Sequence, residues 1–206
     1  MASPCLQVRG LTFSQPHRQL FADWSATFLP GLTWITGDEG VGKTTLLRLV
    51  AGEWPAAAGE VVWRDATGAR ALTPADVFWV EPGTTAFDAM PVQAFWSTCR
   101  SRYPRWSEAA LATWVTHFSL SEHVEKSLFM LSTGSKRKVW LAAALAAQAS
   151  VTLLDEPSAA LDQPSREALR QELTQRAQQA QAIWLVAGFS CPVAQAHCAG
   201  VVTLQA

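Results

Sequence analysis

No apolar run in this 206-residue chain approaches the roughly eighteen residues that a membrane-spanning helix needs. The N-terminus lacks the charged and apolar regions of a secretory signal. A soluble, cytoplasmic protein is therefore the expectation. No C-x-x-C pair is present either: the four cysteines, Cys5, Cys99, Cys191 and Cys198, are scattered and read as reduced apolar fillers rather than a disulfide set. Cys191, His197 and Cys198 lie close together, but a zinc site needs a matched second half that the chain does not offer. An excess of one charge is also missing. Sixteen basic residues stand against seventeen acidic ones, and the densest basic patch, Lys136-Arg137-Lys138, is too short to be a footprint for nucleic acid. No internal repeat is visible. What survives these exclusions is a single α/β unit over residues 1–206, with room for a small inserted subdomain but not for a second core.

Against that plain background one stretch stands out. Gly37-Asp38-Glu39-Gly40-Val41-Gly42-Lys43-Thr44-Thr45 reads G-x-x-x-x-G-K-T and follows the apolar run Leu32-Thr33-Trp34-Ile35. Glycines at this spacing let successive backbone N–H groups turn inward around a polyphosphate, and the helix that follows offers its positive end to the same anion. Lys43 is placed to reach the β- and γ-phosphates, and the Thr44 hydroxyl to ligate Mg²⁺. Leu46, Leu47, Leu49 and Val50 supply the apolar face of that helix.

Around this loop the chain alternates strands and helices. Cys5 to Arg9 and Trp24 to Leu29 read as antiparallel strands. Phe13, between them, is either a platform for a nucleotide base or a core residue. Glu60 to Arg64 reads as a strand, Asp65 to Pro74 as a polar loop, and Val77 to Val80 as a compact strand ended by Glu81-Pro82-Gly83. From Thr84 to about Met130 the pattern turns helical, with Val92, Phe95, Trp96 and Cys99 on one face and Leu111, Trp114, Val115 and Phe118 on another. These aromatics are expected in a core rather than on a partner surface. Ten tryptophans are many for this length, and Trp34, Trp63, Trp79 and Trp184 fall in apolar runs that predict burial.

Val151-Thr152-Leu153-Leu154 ends in Asp155-Glu156-Pro157. Adjacent carboxylates at the carboxyl end of an apolar strand are costly unless a cation or water uses them, and in an α/β sheet that edge is where ligands bind. Asp155 suits Mg²⁺ opposite Thr44, and Glu156 suits a general base on an attacking water. Asp162 and Pro164 start a helix to about Ala180, and strands follow at Ala182 to Ala187 and Val201 to Leu204. The sum is a largely parallel sheet with helices on both faces. Before the acidic pair, Leu131-Ser132-Thr133-Gly134-Ser135 leads into a strong helix former; Ser and Gly there make an ordinary N-cap and also an anion site.

Taken in order, the phosphate loop, the Leu131 to Ser135 stretch, Leu153-Leu154-Asp155-Glu156-Pro157 and Ser158-Ala159-Ala160-Leu161-Asp162 resemble the nucleotide-binding subunit of an ATP-binding cassette (ABC) transporter over essentially the whole chain. The resemblance implies a P-loop NTPase core that binds ATP and Mg²⁺, and a head-to-tail dimer of like or unlike cassettes. In it Ser132 and Gly134 contact the γ-phosphate in trans and Asp162 touches the opposite site. It also implies that the segment from about 84 to 130 is a helical subdomain meeting a separate membrane-spanning subunit. The protein would then lie peripherally on the inner face of the cell membrane. A shorter likeness, to exporter-type cassettes such as the haem-export ATPase of cytochrome c maturation, leaves the cargo open. Four departures accompany the match. Glu81 stands where the family has Gln, Gly188 where it has a switch His, Thr133 for one of the usual glycines and Ser135 for the usual Gln. The expectation is a chain that binds MgATP and turns it over slowly, or a nucleotide-gated cassette that seldom hydrolyses.

Overall fold

The computed structural model describes residues 3–205, so residues 1, 2 and 206 of the expected unit lie outside the described residues. Its centre is a five-stranded parallel sheet in the order β6-β7-β8-β3-β9, built from β3 (Gly31–Thr36), β6 (Val77–Phe78), β7 (Val151–Asp155), β8 (Ile183–Ala187) and β9 (Gly200–Thr203). The inner strands β3, β7 and β8 are mostly apolar because both faces of the sheet are covered there, with Thr33 and Thr152 as buried polar exceptions, while the edge strand β9 is partly exposed. Alternate residues go to opposite sides. Leu32, Trp34, Phe78, Leu154, Trp184 and Val186 enter one core, while Ile35, Val77, Leu153, Ile183 and Leu185 enter the other.

The second core is closed by α1 (Lys43–Ala51) and by an antiparallel sheet in the order β2-β1-β4-β5. Here β1 (Cys5–Gln15) and β2 (Arg18–Phe28) are longer than expected, meeting in a hairpin whose end residues Ser14, Gln15, Arg18 and Gln19 are exposed. The stretch expected as a polar loop holds a strand. β4 (Ala58–Asp65) turns back into β5 (Gly68–Ala71), and Asp65 Oδ1 accepts from the Thr67 N–H at 2.8 Å and the Thr67 hydroxyl at 2.6 Å. Every residue of β5 is exposed, so its backbone ladder to β4 leaves no hydrophobic pattern to read. The opposite correction applies to β6. It ends at Phe78, and Trp79 and Val80 continue outside the ladder.

The first core is covered by α2 (Val92–Arg102), α3 (Glu108–His117), α4 (Thr133–Ala147) and α5 (Gln163–Gln179). The aromatics named on the two helix faces, Phe95, Trp96, Trp114 and Phe118, are interior, while Phe129 near the end of the stretch is exposed. Phe95 and Trp140 meet edge to face at 4.6 Å, Trp114 and Phe118 lie 5.0 Å apart, and all four are buried. Trp34, Trp63, Trp79 and Trp184 are buried as well. No helix among the described residues is long and apolar enough to cross a membrane.

The antiparallel sheet is tied to the start of β6 by one carboxylate. Asp76 accepts from Arg70 Nη1 and Nη2 at 2.7 and 2.8 Å and from the Thr73 N–H and hydroxyl at 2.7 and 2.6 Å. These donors, Arg70 foremost, hold its carboxyl well below the usual carboxylate range. A depressed folded-state pKa stabilises fully above the unfolded value near 3.9 and progressively less as pH falls through the folded one. Asp76→Asn is therefore expected to cost about 1–2 kcal/mol at neutral pH. In denaturant titrations its deficit from the wild type should shrink once the pH is taken below about 3.

Candidate active site

The loop from Gly37 to Gly42 joins β3 to α1, and its glycines carry the turn. Gly37 has a φ of 143°, and a Cβ there would stand 2.4 Å from the Leu204 carbonyl oxygen, so the close approach of the chain after β9 admits no side chain. Gly42 is the N-cap of α1, with no side-chain cap and no acidic residue in the first turn. The first N–H groups of the helix are thus left to whatever anion the loop encloses.

Lys43 is buried, and its Nζ donates to the carbonyls of Gly37 at 2.7 Å and Asp38 at 2.8 Å. Thr44 Oγ1 donates to Asp155 Oδ2 at 2.6 Å, joining the start of α1 to the end of β7. Parallel register explains the meeting: Ala187 of β8 is paired with Ile35 on one side and Asp155 on the other, so three strands end at one level. Glu156 follows with a φ of 44°, a left-handed conformation held from three directions. Its N–H donates to Ala187 O at 2.9 Å, and its carbonyl accepts from Arg137 Nη1 at 2.7 Å and Ala159 N at 3.0 Å. Arg137 also donates to Asp155 O at 2.9 Å. Burial draws its guanidinium below the ordinary value, against the pull of Asp155 and Glu156.

These groups line a cleft of about 300 Å³ with Gln15, Leu20, Glu39, Gly40, Gly42, Thr45 and Phe189. Gly37 and Asp38 contribute carbonyls to Lys43, and the Val41 side chain is buried beneath the loop. The hard oxygens of Thr44 and Asp155 fit magnesium, which takes few protein ligands and completes its shell with water and phosphate. No cluster of three or more acidic, His or Cys side chains among the described residues makes a protein-only metal cage.

Five residues expected at a nucleotide lie outside this cleft. The Phe13 ring stacks on Trp54 at 5.6 Å and 17° and is half-buried against the second core. Glu81 forms an ion pair with Arg48 of α1, whose guanidinium also lies 4.5 Å over Trp54. Ser132 caps α4, its Oγ accepting from Ser135 N at 3.1 Å. A Cβ on Gly134 would stand 2.4 Å from the Ala160 carbonyl, so this glycine lets the start of α4 approach the turn before α5. Asp162 caps α5 through Ser165 N at 2.9 Å and pairs with Lys138, whose hydrogen bond is the main cause of its depressed pKa. Gly134 and Asp162 thus join the start of α4 to the turn before α5, while Ser132 caps α4 itself.

Phe189 is the residue that sequence reasoning missed. Its N–H donates to Glu156 Oε1 at 3.0 Å, its ring lies 4.7 Å from Lys43 Nζ, and 66% of it is exposed. Gly188 beside it leaves room for the carboxylate: a Cβ there would stand 3.2 Å from Glu156 Oε2. Gln15 and Leu20 enter the cleft because the β1–β2 hairpin folds over the loop, where Arg18 Nη1 donates to Gly40 O at 3.2 Å. No local pattern marks either residue.

Known proteins are similar to this chain in sequence and in fold. A family model described as ABC transporter matches residues 23–159. The zinc import ATP-binding protein ZnuC of Halorhodospira halophila is 34% identical over 171 residues, which cover 81% of this chain and 60% of that protein. The cytochrome c biogenesis ATP-binding export protein CcmA of Saccharophagus degradans is 32% identical over 165 residues, covering 75% and 74%. In fold the chain is similar to a putative ABC transporter ATP-binding protein from Pyrococcus furiosus, with a TM-score of 0.75, 19% identity and 97% of each chain covered. With the family match spanning more than half of its length, the chain belongs to the ABC transporter family, among its nucleotide-binding subunits.

Proposed function

We propose that this chain binds magnesium-ATP in the cleft above α1 and hydrolyses it slowly, as the peripheral motor of a transporter whose membrane-spanning subunit is a separate chain. The observation that carries the reading is the convergence of Lys43, the Thr44–Asp155 pair and Glu156 at the carboxyl edge of one parallel sheet. The loop N–H groups and Lys43 hold the phosphates, and Thr44 and Asp155 hold magnesium, which offsets phosphate charge when bound. Glu156, held by Phe189 N–H, takes the proton of the attacking water. Slow turnover follows from Gly188, which brings no side-chain donor to the γ-phosphate; one missing donor of that kind costs about 10²–10³ in rate.

In the same reading two cassettes close head to tail on ATP, each offering Ser132 and Gly134 to the other's nucleotide, with Asp162 near the opposite site. Support comes from the placing of these residues outside their own chain's cleft, at the positive start of α4 and the turn before α5. The helical stretch from 84 to 130 acts as the subdomain that meets the membrane subunit, on the inner face of the membrane. The relatives named above include an importer and an exporter, so neither cargo nor direction is part of the proposal. A second reading, a nucleotide-gated cassette working beside an unlike partner, is favoured by Gly188 and by the engagement of Glu81 with Arg48.

Steady-state hydrolysis of ATP, with molecular size measured in magnesium-ATP, tests both. Under the motor reading Lys43→Ala loses binding and turnover together. Glu156→Gln keeps binding, loses turnover by at least about 10²-fold, and accumulates as an ATP-bound dimer. Tight binding by the wild type with no turnover selects the gated cassette, and no binding sinks both.

The Phe189 ring makes a separate expectation. A cation over an aromatic face at an exposed site is worth about 0.5–1 kcal/mol, and phosphates must displace that contact to reach Lys43. Phe189→Ala should tighten magnesium-ATP binding by about two- to fivefold in a calorimetric titration. Weaker binding by the variant would show instead that the ring packs on the nucleotide.

A further inference from the structure

The segment between β8 and β9 holds two thiols that the nucleotide cleft does not use. Cys191 Sγ and Cys198 Sγ lie 3.6 Å apart, close enough to share a hydrogen bond, and both residues are half-buried. Cys5 and Cys99 are buried apart from them. Backbone contacts produce the meeting. At one end of the segment Gly188 N donates to Ile35 O at 3.2 Å, and at the other Ala199 N donates to Leu32 O at 2.8 Å, so both ends are pinned to β3. Between the thiols Val193 is buried in the core, and a short 3-10 turn (Gln195–His197) is closed by His197 N to Ala194 O at 2.8 Å and Cys198 N to Gln195 O at 3.0 Å. A disulfide needs its sulfurs about 2.0 Å apart, so closing the pair asks for a movement of about 1.5 Å, within the reach of side-chain rotation.

We infer that Cys191 and Cys198 form a reversible disulfide site that takes a small disulfide, such as oxidised glutathione, as its co-substrate, and that closing it staples the segment carrying Phe189. In the first step the Cys191 thiolate attacks one sulfur of the small disulfide, and the expelled thiolate takes up a proton. In the second the Cys198 thiolate attacks the Cys191 sulfur of the mixed disulfide, and the second small thiol leaves. The protein gives up two protons and two electrons, and the small disulfide takes them up to become two thiols. The order follows from the surroundings. Burial first, and the hydrogen bond with Cys191 next, push the Cys198 thiol above its ordinary value, which suits it to the second, resolving step. Phe189 lies two residues before Cys191, with its N–H on Glu156 and its ring over Lys43, so the staple falls next to the cleft. The inference stands on the thiols and their backbone, whatever the fate of the nucleotide.

The test is to treat the reduced full-length chain with oxidised glutathione and follow intact mass, the peptide map without reductant, and amide hydrogen exchange. The wild type should become lighter by two hydrogens, retain no glutathione, yield a linked Cys191–Cys198 peptide and exchange more slowly over residues 188–199, with dithiothreitol reversing every change. Cys198→Ser should stop at a glutathione adduct on Cys191, while Cys5→Ser and Cys99→Ser react as the wild type does. An unchanged mass, a lasting glutathione adduct on the wild type, a linkage between molecules, or a closed disulfide with unaltered exchange would each overturn the inference.

Discussion

Ala187 is paired with Ile35 on one side and with Asp155 on the other, and everything at the cleft depends on that register. Parallel strands put like ends together, so a loop beginning after β3, an acidic pair ending β7 and a glycine ending β8 emerge at one edge. A shift of one residue in β7 would invert its alternation, exposing the places of Leu153 and Leu154 to the wrong cores and carrying Asp155 away from Thr44. Burial on both faces therefore fixes the chemistry: the apolar cost of a slipped strand is what keeps a 2.6 Å contact between residues 111 positions apart.

Glu156 shows how such a position is kept. Its left-handed backbone is unfavourable for a residue with a Cβ and persists only where neighbours over-determine it. Ala187, Ala159 and Arg137 each hold one of its backbone groups, and the half-buried Arg137 reaches both Asp155 and Glu156 through their carbonyls. With the backbone so held, the carboxylate is directed across Gly188 onto Phe189 N–H. The missing side chain at 188 and the engaged carboxylate at 156 are therefore one feature: the oxygen occupies space that any Cβ at 188 would contest.

What was legible in the sequence was local or periodic. Glycine spacing announced the loop from Gly37 to Lys43 because the turn is made within it, and three apolar residues among the four before Asp155, with Thr152 the exception, announced a buried strand. The start of α5 was readable from Asp162 and Pro164, which act within one turn. Contacts made across the fold were not legible. β5 left no pattern because all its side chains face solvent. Phe189 over Lys43 exists only through the pairing of β8 with β3, and Gln15 and Leu20 enter the cleft only because the first hairpin folds over the loop.

Glu81 carries the same lesson into electrostatics. Read alone, a carboxylate near a triphosphate is a repulsive substitution. In the fold it faces Arg48, which rises from the helix that begins at the phosphate loop, and Arg48 is itself seated on Trp54, with Phe13 stacked on the other partner of that ring contact. The pair is partly buried and therefore weakly screened, so most of the negative charge is met before it reaches the cleft. The guanidinium is engaged locally, an edge N–H on the carboxylate and a face on the indole, which keeps Arg48 from turning toward phosphates one helical turn away. Two residues that the sequence offered separately, the aromatic Phe13 and the acid Glu81, are in this chain the two ends of a single brace along α1.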